Sequence, residues 1–450
     1  MEQSETRMKK ASTLKEMSDS FDPYPLETWE EMERFYVETM EARVGDPMES
    51  PIQEIELACQ EPKGRNAMLL LGHRGCGKST ELNRMKLRLE EKGHPVVLIQ
   101  CEDRLPLTNN PRFSDLLILM GEELYDLSVR LEIPVRTEIL ETIQNFWTPV
   151  VQVREQGKEE NVELGAGVKI APPDLLRFVA SLFVQLNSDV KYNDNFREKS
   201  EKHIENHYAD WKTVIDSLSD GISKKAGKQP ILIFEGLDHL EDLAESRNLF
   251  FSHTGKLTDV SFPVIYTFPI ALYYDKEFST HENEFREVAI FPMMKLETID
   301  GEPYPKSWDN LREIVKKRTE DGLIEPLALE KMIEKTGGSL RDLFQVIRRA
   351  AARAAYREEL EGKPQKLNVE DAQRALIRLQ GSLTRRIEGK EHEFLLKVCK
   401  GTRQGIEDKQ MLLDMLQART LLEYNGERWF NVHPVVRDYL EKLEKQGYFA

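Results

Sequence analysis

A chain of 450 residues that is 40% hydrophobic and 32% charged is long enough for about three domains and apolar enough for packed cores, which excludes global disorder. Its formal net charge of −16 argues against a protein that coats nucleic acid through phosphate contacts alone. No run of about 18 apolar residues is present, so no membrane span is expected. The four scattered cysteines, with no C-x-x-C pair, speak against a disulfide framework and a zinc site. With the polar opening Met1–Arg7, which lacks the apolar core of a signal peptide, they point to a cytoplasmic protein.

Along the chain, residues 1–20 read as polar and loose. Pro23 and Pro25 precede an acidic helical stretch over 27–43. Residues 1–60 hold 6 Lys/Arg against 15 Asp/Glu, whereas residues 341–390 hold 12 against 7. Such segments are solvated helical faces, or surfaces that meet within one chain or between subunits. The apolar run Ala67–Leu71 reads as a buried strand. It leads into Gly72-His73-Arg74-Gly75-Cys76-Gly77-Lys78-Ser79, which fits G-x-x-x-x-G-K-[ST], and a helix runs on from Lys78 to about Glu91. The glycines let the backbone wrap phosphates with its N–H groups turned inward at a positive helix end. Lys78 would meet the β- and γ-phosphates, the Ser79 hydroxyl would ligate Mg2+, and Gly72 to Thr80 form the expected nucleotide-binding set. The expected ligands are ATP and Mg2+.

Further strands are expected at 95–101, 231–235, 262–267 and 288–291. Residues 112–224 are helical in pattern and read as an insertion, interrupted by an alternating stretch at 161–170 that suggests a small hairpin. His203 and His207 stand at i, i+4 within it, but no third ligand is near and a solvated face is the better reading. Residues 308–379 are helical throughout. The end of the chain gives two helices, a hairpin over 421–431 turning at Asn425-Gly426, and a helix over 434–445, the ingredients of a winged helix. These elements predict an α/β fold. A P-loop core with a mostly parallel sheet carries the helical insertion, a helical lid and a C-terminal winged-helix domain. The expected divisions are 1–48, 49–300, 301–388 and 389–450.

A P-loop enzyme needs a carboxylate at the end of a neighbouring strand for the water shell of Mg2+. Glu235 ends the run Ile231–Phe234 and is placed for this, giving Ser79 and Glu235 as the metal pair. Asp238 lies where it either caps the next helix or reaches the same space. Gly337-Gly338-Ser339-Leu340-Arg341 opens a helix with Ser339 as a candidate N-cap. Arg341 there is either a surface residue or a cation that meets a γ-phosphate.

In this order, the P-loop, the segment Phe234–Asp238, Thr267 on a following strand and the Gly-Gly-Ser-Leu-Arg helix resemble AAA+ and STAND-type ATPases. The helical lid followed by a winged helix is similar to the origin-recognition and NACHT-like branches. The runs at 265–270 and 421–434 look like prokaryotic members found in defence or mobile-element systems. The resemblance implies that Lys78 and Ser79 match Walker A, Glu235 the Walker B acid, Thr267 sensor 1 and Arg341 sensor 2. Arg286 would be an arginine finger reaching a neighbouring subunit.

Two departures stand out. The Walker B acid is Glu rather than Asp, and Gly236 replaces the hydrolytic Glu that normally follows. Unless Asp238 activates water, turnover is expected to be slow. The resemblance implies an ATPase whose nucleotide state controls homo-oligomerisation and a separate effector, plausibly in antiviral defence. The alternatives are a nucleic-acid loader that uses the winged helix with Arg348, Arg349, Arg353 and Arg357, and a scaffold that binds ATP without turnover. Residues 391–450 hold 9 Lys/Arg and 10 Asp/Glu, so the charge does not favour nucleic acid there.

Overall fold

The computed structural model describes residues 9–46, 48–61, 64–105, 111–151, 172–240, 242–401, 403–424 and 429–448. Runs such as Ala-Met-Leu-Leu-Leu and Ile-Leu-Ile-Phe-Glu lack polar alternation, as strands buried on both faces must. They form β1 (Ala67–Leu71) and β3 (Ile231–Glu235), and with β4 (Val264–Phe268) they are buried at every position. β2 (Val96–Gln100) and β5 (Glu287–Ile290) complete the sheet. Every pairing is parallel and the order is β2-β3-β4-β1-β5. β4 therefore separates β1 from β3. Its register sets Thr267 beside Leu70 and Tyr266 beside Phe234. The carboxyl ends of three strands thus stand together, at the edge where open α/β sheets bind ligands.

Helices α1 (Trp29–Phe35), α2 (Met40–Val44) and α3 (Pro51–Gln60) precede the sheet, and α4 (Lys78–Glu91) follows β1. Between β2 and β3 the insertion consists of α5 (Phe113–Arg130), α6 (Thr137–Trp147), α7 (Pro172–Tyr192), α8 (Asp194–Asn206) and α9 (Tyr208–Ala226). It has its own aromatic centre, in which Trp211 lies 5.1 Å from both Phe146 and Trp147. The half-buried His203 ring packs 4.6 Å from Phe146, at the margin of this aromatic centre, while His207 is exposed as expected. Among the described residues no group of three His, Cys, Asp or Glu side chains is set to hold a metal ion. α10 (Leu243–Phe250) joins β3 to β4. The lid follows as α11 (Pro305–Arg318), α12 (Pro326–Thr336), α13 (Leu340–Glu361) and α14 (Val369–Thr384). The C-terminal part is α15 (Lys390–Cys399), α16 (Lys409–Gln417), the antiparallel hairpin β6 (Leu421–Tyr424) and β7 (Trp429–Val432), and α17 (Pro434–Lys445). The fold is the expected α/β P-loop core with its insertion, lid and winged-helix arrangement of helices and hairpin. The hairpin proposed for 161–170 and the Asn425-Gly426 turn lie outside the described residues.

The N-terminal part differs from expectation. Instead of one helix over 27–43, α1 and α2 are separated by an extended Tyr36–Glu38, with Tyr36 at φ −71° and ψ 138°. The tyrosine hydroxyl donates to Glu81 of α4 at 2.7 Å, and its carbonyl accepts from Lys317 of α11 at 2.6 Å. Residues 9–20 are not loose. Ala11 exchanges backbone hydrogen bonds of 2.9 Å with Arg318 and Glu320, and Met17 and Phe21 are fully buried. Among the described residues, acidic-to-basic pairing of these segments occurs between Asp22 and Arg348, at 2.9 Å.

Candidate nucleotide-binding site

The turn after β1 runs Gly72 to Gly77 and opens directly into α4. Gly77 holds the N-cap position in the left-handed region, and no side chain caps the helix. The first N–H groups of α4 are therefore left for an anion, which the positive helix end favours. Gly75 has φ +84°, and a Cβ there would come 2.5 Å from the Arg341 Cβ. Glycine is thus required both by the backbone and by the closeness of the lid.

Lys78 is buried beneath this loop. Its ammonium donates to the carbonyls of Gly72 (2.7 Å) and His73 (3.0 Å) and pairs with Asp238 at 2.9 Å. Burial pulls the ammonium's pKa down, but Asp238, Cys76 and Glu235 more than offset this, so Lys78 stays charged. Asp238 shows the mirror effect. Burial pushes its carboxyl up, yet Lys78, His239 and Arg74 hold it well below the usual carboxylate range. It follows Gly236 on a short helical turn, Leu237–His239, that begins after β3. The turn is pinned by Arg74, which donates to the carbonyls of Asp238 (3.3 Å) and Leu240 (3.2 Å).

Glu235 ends β3 and is 6% exposed. Burial raises its pKa, while side-chain hydrogen bonds from Ser79 and Gln100 oppose the rise. Its Oε2 is buried without a hydrogen-bond partner among the described residues. A hydroxyl and a carboxylate oxygen left without a donor fit Mg2+, which takes one or two carboxylates plus phosphate and water oxygens. Ser79 and Glu235 would hold the ion, and the ion would neutralise charge on the phosphates.

Thr267 is brought between these groups by β4, but it faces the backbone. Its hydroxyl accepts from the Leu237 N–H at 3.0 Å and donates to the Phe234 carbonyl at 3.3 Å. It braces the turn that carries Asp238. Arg341 lines the same cavity as Gly75, Lys78, Glu235 and Asp238, and its N–H donates to the Gly75 carbonyl at 3.2 Å. Ser339 is the N-cap of α13, accepting from the Asp342 N–H at 3.3 Å. Arg286 is not brought to this site. Its N–H donates to the Ala67 carbonyl at 2.8 Å, at the start of β1, whereas the P-loop leaves the end of that strand.

The N-terminal segment contributes residues that nothing local in the sequence marks. Arg43, an isolated cation in an acidic stretch, is 1% exposed. It donates to the Cys76 carbonyl of the P-loop at 2.7 Å and to Thr39 at 2.9 Å, also donates to the Pro292 carbonyl, and lies 4.3 Å over the Phe291 ring. Pro23 to Leu26 and Phe35 to Val37 form a cavity wall opposite the lid. The Leu26 N–H donates to the Thr80 hydroxyl at 3.2 Å and its carbonyl accepts from Asn83 at 3.0 Å. The C-terminal part also reaches the site. The Glu423 N–H of β6 donates to the ring Nε2 of His73 at 2.8 Å, and Tyr424 donates to the Gly337 carbonyl at 2.7 Å. Arg419 pairs with Asp342 at 3.3 Å.

No protein-family model and no curated protein matches this chain. Among solved structures, the ORC2 protein of Aeropyrum pernix in its ADPNP–ADP complexes is similar at 10% identity and a TM-score of 0.40, over 88% of this chain and 92% of that one. Cdc6p from Pyrobaculum aerophilum is similar at 13% identity and 0.32, over 91% and 99%. RuvB from Thermotoga maritima is similar at 11% and 0.32, over 87% and 92%. The P-loop α/β fold of this chain rests on its own sheet order, glycine loop and facing carboxylates.

Proposed function

We propose that this chain is a nucleotide-driven switch that binds ATP with Mg2+ and hydrolyses it slowly. The observation that carries the coupling is a pair of neighbours on the first turn of α13. Arg341 lines the nucleotide cavity, while Asp342 holds Arg419 of the C-terminal part. A γ-phosphate that draws Arg341 inward moves the same turn that anchors the C-terminal part. Slow turnover follows from the missing acid after Glu235 and from Asp238, whose depressed pKa makes it a weak base.

The resemblance to defence-type ATPases extends the reading to a homo-oligomer acting on a separate effector protein in the cytoplasm. In such an assembly Arg286, at the opposite edge of the sheet, would serve a neighbour's site. For the nucleic-acid reading, three of the four arginines named for it are engaged within the chain. Arg348 pairs with Asp22, Arg353 with Glu370 and Asp371, and Arg357 with Asp371. That favours a protein partner over a groove of DNA.

The test is calorimetric binding of ATP with Mg2+, phosphate release and mass photometry on the same preparation. Turnover well below ~1 s⁻¹, against a median near ~10 s⁻¹ for enzymes at large, together with a nucleotide-dependent change in size, is expected. Lys78→Ala should abolish binding. Asp238→Asn should retain it, because it removes a competitor for the lysine. Fast turnover by a chain that stays one size in all nucleotide states would refute the switch.

A further inference from the structure

The cavity has chemically different parts. One carries the P-loop and the carboxylates. Another part of the lining, Pro25, Phe35, Val37, Ile314 and Phe344, is apolar, a surface of the kind that takes an aromatic ring. Arg318 lines the cavity beside these side chains. Arg318, the last residue of α11, is 8% exposed. Its guanidinium lies 4.8 Å over the Phe344 ring and 5.4 Å over that of Phe35. Nη1 donates to the carbonyls of Phe35 and Ile314, each at 3.1 Å. Those bonds leave the N–H groups of Nε and Nη2, which have no protein acceptor among the described residues.

A desolvated guanidinium is normally found paired with a carboxylate or phosphate. Here no carboxylate opposes the burial, which alone pulls its pKa down to about 10. A donor-only group with unspent N–H bonds on the wall of a ligand cavity is matched by an acceptor on the ligand. The phosphates are claimed by the uncapped start of α4, Lys78 and Arg341. The acceptor that reaches Arg318 is therefore on the base.

We infer that Arg318 reads the nucleobase, donating from Nε or Nη2 to an unprotonated ring nitrogen of a purine seated against this apolar lining. This rests on the reading of the cavity as a nucleotide site. A purine offers several such nitrogens on a two-ring system. A pyrimidine presents a shorter ring, and a base-free sugar triphosphate presents none.

The experiment measures binding of four probes (ATP, CTP, ribose 5-triphosphate and inorganic tripolyphosphate) to the full chain and to Arg318→Met and Arg318→Lys. Methionine keeps the apolar stem and removes the donors. A charge-assisted hydrogen bond corresponds to roughly 10- to 100-fold in affinity. ATP should therefore weaken by that factor in Arg318→Met and by less in Arg318→Lys, while tripolyphosphate binding stays unchanged. ATP should also bind the unsubstituted chain at least ~10-fold tighter than CTP or ribose 5-triphosphate. This arm holds even if a variant fails to fold. Equal affinities in that arm overturn the inference, as does a parallel loss of ATP and tripolyphosphate binding in Arg318→Met. If the unsubstituted chain binds none of the four probes, the nucleotide reading itself falls, and the inference with it.

Discussion

Arg43 ties a segment far away in sequence to the phosphate loop through one planar side chain. Its fork reaches the carbonyls of Cys76 and Pro292 and the Thr39 hydroxyl while it stacks on Phe291. Three acceptors and a ring are more than a lysine can serve at once. Arg43→Ala would leave two buried carbonyls without donors, costing about 2–4 kcal/mol. It should also loosen the P-loop, so that Tm falls and the Kd for ATP rises together. A variant of unchanged stability would show that water replaces the fork. His73 makes a second residue-level prediction. Burial, with Lys78, Arg419 and His433 nearby, holds its ring neutral and pushes its pKa down from 6.5 to about 3. A depressed histidine contributes stability above its unfolded pKa, and that contribution is lost as pH falls towards the folded value. Between pH ~6.5 and ~5 the loss is about 2 kcal/mol. Thermal unfolding of the chain and of His73→Gln, followed over that range, should diverge with the wild type falling more steeply. Parallel curves would mean that the ring already meets solvent.

At the scale of elements, the lid and the hairpin are held to the core by few but directional bonds. Asp342 is 1% exposed and its carboxylate accepts from Arg419, while His433 Nε2 stands 3.6 Å away. Burial pushes this carboxyl up, but Arg419 and His433 hold it well below the usual carboxylate range. Asp342→Ala removes a charged acceptor worth about 2 kcal/mol. It should release the C-terminal part in limited proteolysis while far-UV helicity stays. Protection equal to wild type would show that Tyr424 and the Glu423–His73 bond suffice. Elements of this kind differ in how far the sequence declares them. β1, β3 and β6 lie where the apolar runs put them, and α17 spans the residues expected from Pro434 to Lys445, because each is set by a local signal: unbroken hydrophobicity, a turn, or a proline at the helix start. The break between α1 and α2 has no such signal. Residues 36–38 are extended because Glu81 and Lys317 hold Tyr36, partners 45 and 281 positions away. The same applies to the site. The glycine loop and Glu235 are legible from spacing and Arg341 only through the family resemblance, whereas Arg43, Arg318 and the His73–Glu423 bond exist only once distant segments meet. The resemblance implies Thr267 as sensor 1, and the structure adds that its hydroxyl is committed to the backbone of the next turn.

For the whole molecule, the proposed nucleotide cavity is the meeting point of otherwise separate parts. The N-terminal segment supplies one wall, the lid another, and the C-terminal hairpin touches the P-loop from behind, while the insertion packs around its own aromatic centre. Ligand binding should therefore order some regions far from the phosphates and leave others untouched. Hydrogen exchange reads this directly, since local opening free energies differ across a structure. With ATP and Mg2+, amides in residues 23–46, the first two turns of α13 and strand β6 should exchange more slowly. Those in α6 and α8 of the insertion should not change. The contrast matters because a ligand that merely stabilised the fold would slow exchange everywhere by the same free energy. Protection confined to the P-loop and α4 would show instead that these three parts are static scaffolding. The coupling from Arg341 through Asp342 to Arg419 would then carry no signal. Protection reaching β6 in the chain, but lost there in Asp342→Ala while it persists at α4, would place the coupling in that one turn of α13.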